Sequence, residues 1–182
     1  MKFICSPYWL GLLVVLASAP LVCSGTDVPA KGDSIDLKLN AEGAGPRELE
    51  DLTRNAIARD YAAAWSTLAQ ALDQNNPDLL NAHFTGFARD NFGDRIADQR
   101  RSGVHTRYRD LGHRANIVFY SPDGLGVQLL DEAQIEIQIF DGDTLVSSTK
   151  GTRHYIALLT PAEVSWKVRI LQDVPNTFKT KG

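Results

Sequence analysis

Two long segments folded back on each other about Asp141-Gly142-Asp143 constrain this chain more than any other feature. Across Asp131–Leu159, the first arm alternates Ala133, Ile135, Ile137 and Ile139 with Glu132, Gln134, Glu136 and Gln138. Successive side chains on a strand point to opposite faces, so the pattern sends four apolar groups inward and four polar groups outward. The Asp-Gly-Asp turn supplies the positive φ that a tight hairpin needs. An apolar sheet face of this length has to be covered, and the segments upstream provide the cover.

Leu49, Leu52, Ala56, Ile57, Tyr61, Ala64, Trp65, Leu68 and Leu72 recur at steps of three and four, which predicts one amphipathic helix of about seven turns. Gly45-Pro46 is expected to open it, with Glu48, Glu50 and Asp51 at the positive end of the helix dipole. Asn75-Asn76-Pro77 stops that helix and starts a second, with Asn76 as N-cap, and Leu79, Leu80, His83, Phe84 and Phe87 continue the covering face. Gly86 is a candidate break. Phe92 and Ile96 carry a third segment to Arg101, and Ser102-Gly103 ends it with Arg100 and Arg101 in the last turn.

From Val104 the period changes from 3.6 to 2. Val104, Thr106 and Tyr108 alternate with His105, Arg107 and Arg109. Ala115, Ile117 and Phe119 then alternate with Asn116, Val118 and Tyr120, and Ser121-Pro122-Asp123-Gly124 forms a turn. A last strand after Thr160-Pro161-Ala162-Glu163 places Val164, Trp166, Val168 and Ile170 on one face. Helices followed by four or five antiparallel strands give an α+β order, with the N-terminal helices packed into the concave face of a strongly curved, cone-like sheet.

Tyr61-Ala62-Ala63-Ala64-Trp65, then Leu72 to Leu80 with its Asn-Asn-Pro, then Phe84 and a sheet ending in Ser165-Trp166-Lys167-Val168, resembles the nuclear transport factor 2-like superfamily. That group includes ketosteroid isomerases, polyketide cyclases and many accessory domains. The likeness spans about residues 46–175 and is one of fold. The closing Trp-x-Val after a long hairpin also looks like a membrane-associated subgroup that includes the C-terminal domain of the mitochondrial inner-membrane import motor.

The resemblance implies a cavity between helices and sheet, apolar with a few polar groups. Candidates for its lining are Tyr61, Trp65, His83, Phe87, Tyr108, Phe119, Asp131, Tyr155 and Trp166. The competing expectation is that these aromatics fill the cone as core. An isomerase of the family sets a basic carboxylate near a tyrosine and a protonated acid. Glu132 and Glu136 share the outward parity, so Asp131 is the one carboxylate expected near the pocket, as a solvated residue at its rim. His83 lies on the apolar side of its helix and reads as a satisfied core or pocket histidine before it reads as a base. Catalytic residues are thus not assigned. The four histidines of the mature chain, His83, His105, His113 and His154, have no metal-ligand spacing, and neither a nucleotide fingerprint nor a nucleophile-elbow motif occurs, so no metal or cofactor is expected.

Residues 1–25 carry Lys2, an apolar run from Tyr8 to Val22, and Ser24-Gly25, the layout of a secretory signal peptide. Cleavage would export the domain to a periplasmic or extracellular space. Two alternatives stay open: a membrane tether through residues 8–23, short against the roughly 20 residues of a spanning helix, and a lipidated Cys23. Removing residues 1–25 leaves 157 residues with 18 basic and 22 acidic side chains, a net charge of −4. Cys5 and Cys23, the chain's two cysteines, both lie in that segment, so the domain relies on its core and has no disulfide. Residues 26–45 read as a flexible tether with a weak alternation at Ile35, Leu37 and Leu39, and residues 176–182 as a loose tail.

The mild acidity disfavours nucleic acid as a partner. Against it stand Arg95, Arg100, Arg101, Arg107, Arg109 and Arg114, of which the last five are candidate contacts for an anionic lipid, sugar acid or acidic protein. The opposing expectation is a solvated rim of internal ion pairs. Three functions follow: an exported, non-catalytic binding or accessory domain that holds a protein partner or small apolar ligand; an envelope-associated structural protein, dimeric through its sheet; and a small isomerase, cyclase or dehydratase.

Overall fold

The computed structural model describes residues 35–175. The export or anchor segment, the first part of the tether and the tail lie outside the described residues. A short edge strand β1 (Leu37–Asn40) comes first, then a 23-residue helix α1 (Asp51–Asp73). A 3-10 turn (Pro77–Ala82) leads to helix α2 (Gly86–Ser102). Four long strands follow: β2 (Val104–Tyr120), β3 (Val127–Asp141), β4 (Thr144–Pro161) and β5 (Trp166–Val174). The sheet order is β1-β2-β3-β4-β5, antiparallel except that β1 runs parallel to β2. The sheet is curved and unclosed, so the α+β, cone-like expectation holds.

The helical stripe works as expected over its middle. Ile57, Tyr61, Ala64, Trp65, Leu68, Ala71 and Leu72 are buried against the sheet. Each large apolar side chain removed from water in this way contributes about 1.5–3 kcal/mol. Asn76 caps the 3-10 turn through its side-chain oxygen, which accepts from the Asp78 amide at 3.1 Å. Gly103, at φ 71°, closes α2 in the left-handed conformation, with Arg100 and Arg101 in the last turn.

The helix start differs from expectation. Pro46 does not open α1; it forms an isolated parallel bridge with Tyr120, and the Tyr120 amide donates to the Gly45 carbonyl at 2.7 Å. α1 begins five residues later at Asp51, which leaves Leu52 exposed. The second half of the expected tether is likewise built into the fold. β1 pairs with β2, the His113 amide donates to the Asp36 carbonyl at 2.8 Å, and Ile35, Leu37 and Leu39 pack on the core. The weak alternation there is a real strand signal, shortened by its edge position.

The hairpin turns at a two-residue Gly142-Asp143 loop, with Gly142 at φ 54°. Ala133 and Ile135 are buried and Ile137 partly so, while Ile139 is exposed because the hairpin outruns the helices that cover it. Bulges then move the inward face. In β2 the register shifts between Asp110 and Gly112 and again between Ile117 and Phe119. An extra residue on one strand flips the parity beyond it and tightens the local bend. Thr106 therefore faces the core before the first bulge, His113, Ala115 and Ile117 after it, and Tyr120 after the second. Phe119, expected inward, is 39% exposed for this reason. β5 repeats the effect: a shift opposite Leu158/Leu159 passes the inward role from Val168 to Leu171, and Val164 lies in the exposed turn.

Candidate functional site

A cavity of about 460 Å³ opens between the helices and the sheet. α1 contributes Trp65 and Leu68, and α2 contributes Phe87, Asn91, Phe92 and Arg95. Tyr108 of β2, Ile137 of β3, Arg153 and Tyr155 of β4, and Leu171, Gln172 and Asp173 of β5 complete it. Its volume is within the roughly 300–1,000 Å³ of small-molecule pockets, and its lining is mixed: aromatic and aliphatic side chains alternate with Asn91, Arg95, Arg153, Gln172 and Asp173. Phe87 stands at its edge 61% exposed, directly after Gly86 at φ 52°. Burial first, then the neighbouring Tyr108 and Asp173, push the Tyr155 hydroxyl well above its ordinary range, so it remains protonated.

The charges around the cavity are unequal. Arg153 Nη1 meets Asp173 Oδ2 at 3.2 Å, and these two largely cancel. Arg95 has no acidic partner among the described residues; its guanidinium sits over the Tyr108 ring, 5.9 Å from the centroid. A cation held over an aromatic face is oriented without being neutralised.

Behind Trp65 lies a second polar group that the cavity does not reach. Asp131 Oδ2 accepts from the Tyr61 hydroxyl at 2.8 Å and lies 2.8 Å from His113 Nδ1. His113 Nε2 lies 2.6 Å from Asp110 Oδ2. The side chains of His113 and Asp131 are wholly buried. Burial pushes the His113 imidazole down, but its hydrogen bonds to Asp110 and Asp131 outweigh that and lift it to about 9. His113 is therefore an imidazolium at neutral pH, sandwiched between two carboxylates. Its ring packs 4.7 Å from Trp65, which in turn meets Tyr155 edge-on at 5.0 Å. Burial, and next the Asp131 carboxylate, hold the Tyr61 hydroxyl well above its ordinary range. Asp131 Oδ1 and Trp65 Nε1 make no hydrogen bond within the protein.

Of the residues expected at the pocket, Trp65, Phe87, Tyr108 and Tyr155 line it. Tyr61 is core and Phe119 is turned outward by the second β2 bulge. Asp131 is not a solvated rim residue but a buried one, because the first β2 bulge turns His113 inward beside it. Trp166 lies elsewhere, its amide donating to Asp60 Oδ2 at 2.7 Å, and His83 is fixed beside β5, where its carbonyl accepts from the Val168 amide. Asp60, a second buried carboxylate, sits on the apolar stripe of α1, three residues after Ile57; that spacing was its signal.

The arginines mostly meet internal partners. Arg101 pairs with Asp98, Arg107 with Asp73 at 3.2 Å and Arg109 with Glu136 at 3.2 Å. Arg114 lies 3.8 Å from Glu132, and Arg100 donates to the Asn75 carbonyl at 2.7 Å. Among the described residues no cluster of His, Cys, Asp and Glu is placed to hold a metal, and no helix is long and apolar enough to cross a membrane.

An open curved sheet with two helices laid in its concave face, and a cavity where they meet, defines the nuclear transport factor 2-like fold. Among solved structures, the intermembrane-space region of the chloroplast protein ARC6 aligns at a TM-score of 0.59 with 15% identity, over 71% of this chain and 98% of that one. ActVI-ORFA from Streptomyces coelicolor aligns at 0.44 with 11% identity (67% and 96%), and Aln2 from another Streptomyces at 0.43 with 13% identity (70% and 94%). At 15% identity the likeness to the ARC6 region is one of fold alone. No family model matches the sequence, and no curated protein does.

Proposed function

We propose that this chain is an exported binding domain that takes a small molecule with an apolar body into the cavity between α1, α2 and the sheet. The observation that carries the reading is the separation of cavity from buried polar network. The 460 Å³ space is walled by Trp65, Leu68, Phe92, Tyr108, Tyr155 and Leu171, while Tyr61, Asp131 and His113 do not border it. A general base has to come within hydrogen-bond reach of its substrate. The chain's best-formed acid–base constellation does not border this cavity, which favours binding there over isomerase chemistry. Phe87, an exposed aromatic beside an apolar floor, is the kind of surface that a ligand covers.

The test is titration with the neutral dye N-phenyl-1-naphthylamine, following dye emission. Saturable one-site binding that is lost in Asn91→Trp, a substitution that plugs the cavity from the exposed face of α2, is the expected result. Absence of saturable binding, or binding indifferent to the plug, would sink the reading.

A second reading, assembly through the sheet, rests on a different observation. β5 pairs with β4 only from His154 to Pro161, so the outer edge of β4 from Thr144 to Arg153 has no partner strand among the described residues. Leu145 and Val146 are exposed on that stretch. An open edge of this length is a template for pairing with another strand. Sedimentation of the domain as a monomer at every concentration would end that reading.

A further inference from the structure

The cavity's uncompensated charge identifies the class of molecule it takes. We infer that the ligand is an anion: an apolar body carrying one carboxylate, which Arg95 binds at the cavity wall. The inference rests on the binding reading above and adds the charge and its recognition residue.

Three titratable groups of fixed charge border the cavity: Arg95, Arg153 and Asp173. Two of them are a pair, at 3.2 Å. That leaves one net positive charge facing the space. The nearby acids do not cancel it. Asp98, one turn on from Arg95 along α2, is engaged by Arg101, and Asp94 lies outside this cavity, on the neighbouring depression bounded by Arg89 and Asp90. Tyr108 holds the Arg95 guanidinium by its face and takes none of its N–H groups. A guanidinium presents a planar fork of donors that matches a carboxylate in two parallel hydrogen bonds. Arg95 is thus aimed and available, beside a floor that buries hydrocarbon.

The rest of the molecule sharpens the contrast. Arg101, Arg107, Arg109, Arg114 and Arg153 each lie within 4 Å of an acidic side chain. Arg95 is the cavity-lining arginine without such a partner among the described residues. Tyr155, kept protonated, adds a neutral hydroxyl to the same wall and no competing negative charge. A neutral apolar ligand would leave Arg95 unused; a cationic one would be repelled.

The experiment compares matched anion and alcohol probes by calorimetry on the wild-type domain and on Arg95→Gln. One pair is 2-naphthoate with 2-naphthalenemethanol, and the other is decanoate with 1-decanol, so that the arms separate an aromatic acid from a fatty acid. Expected is an anion at least about 10-fold tighter than its alcohol in the better-binding pair. Arg95→Gln should erase that preference while leaving the alcohol's affinity within about 2-fold. Arg101→Gln, which removes a charge paired outside the cavity, should leave both affinities unchanged. Because the contact lies at a cavity open to solvent, raising salt from 50 to 500 mM should narrow the preference. Equal affinity of anion and alcohol, or a preference that survives Arg95→Gln, overturns the inference and leaves the binding reading standing. Binding of neither member of either pair overturns both.

Discussion

Trp65 has two polar neighbourhoods, and they obey opposite rules. On one side, His113 lies between Asp110 and Asp131, and Tyr61 donates to the same Asp131 oxygen. On the other, Arg95 borders an open cavity, over the Tyr108 ring and with no acidic partner among the described residues. A charge taken out of water has to be paired and hydrogen-bonded, and an unpaired one there is strongly destabilising. A charge at a cavity wall stays solvated until a ligand arrives and needs no internal partner. On the reading proposed above, the constellation that most resembles an acid–base site supports the fold, and the arginine that resembles ordinary surface does the recognition.

Substitutions should separate the two sides by the size of their effect on stability. Asp131→Asn strips the His113 imidazolium of one of its two counter-charges in a wholly buried position, and urea unfolding at pH 7 should show a loss of about 3–5 kcal/mol. A loss below about 1 kcal/mol would mean that the network does not hold the fold together. Arg95→Gln should change stability by no more than about 0.5 kcal/mol.

The same contrast has a pH signature. The His113 pKa is raised on folding, from 6.5 to about 9, so its contribution is fully present below pH 6.5 and is lost as pH rises through 9. A rise of that size corresponds to roughly 3 kcal/mol. Urea midpoints measured between pH 6 and pH 9.5 should fall accordingly in the wild type, and the slope should flatten in His113→Gln. A wild-type midpoint that stays level over that range would place the proton elsewhere.

A smaller effect is expected at the bulge that brings the network together. Gly112 adopts φ 132°, where an L side chain is strained although the nearest atom to an added Cβ is 3.8 Å away. Gly112→Ala should cost about 1–2 kcal/mol by strain alone. As small as the effect of Arg95→Gln, Arg101→Gln removes an exposed ion pair with Asp98 and should shift stability by less than about 0.5 kcal/mol.

These bulges also mark where sequence pattern stops being informative. Periodicity located the body of α1, the cap at Asn76, the end of α2 at Gly103 and the Gly142 hairpin, because each depends on local spacing or a single turn residue; the second helix expected after Asn76 is instead a 3-10 turn of six residues. Parity along β2 failed where the extra residues sit. Counting by twos from Val104 puts Leu111 and His113 on the outward face, whereas the Asp110/Gly112 shift turns His113 in and the Ile117/Phe119 shift turns Phe119 out. Gly112 was the only local hint. Asp131 did share the isoleucines' parity, but its burial depends on His113 and Tyr61 arriving from distant segments, which no window of sequence contains. The pocket was legible in part: Trp65 and Tyr108 follow from their periods and Tyr155 from the family resemblance, while Arg95 is distinguished only by the partners it lacks in three dimensions.

The most direct measurement is the affinity of N-phenyl-1-naphthylamine for Asp131→Asn, taken at a temperature where circular dichroism shows the variant fully folded. If the buried network only supports the fold, the dye should bind within about 2-fold of wild type despite the large loss of stability. A folded Asp131→Asn whose dye affinity drops 10-fold or more would contradict the account and put Asp131 in the binding site.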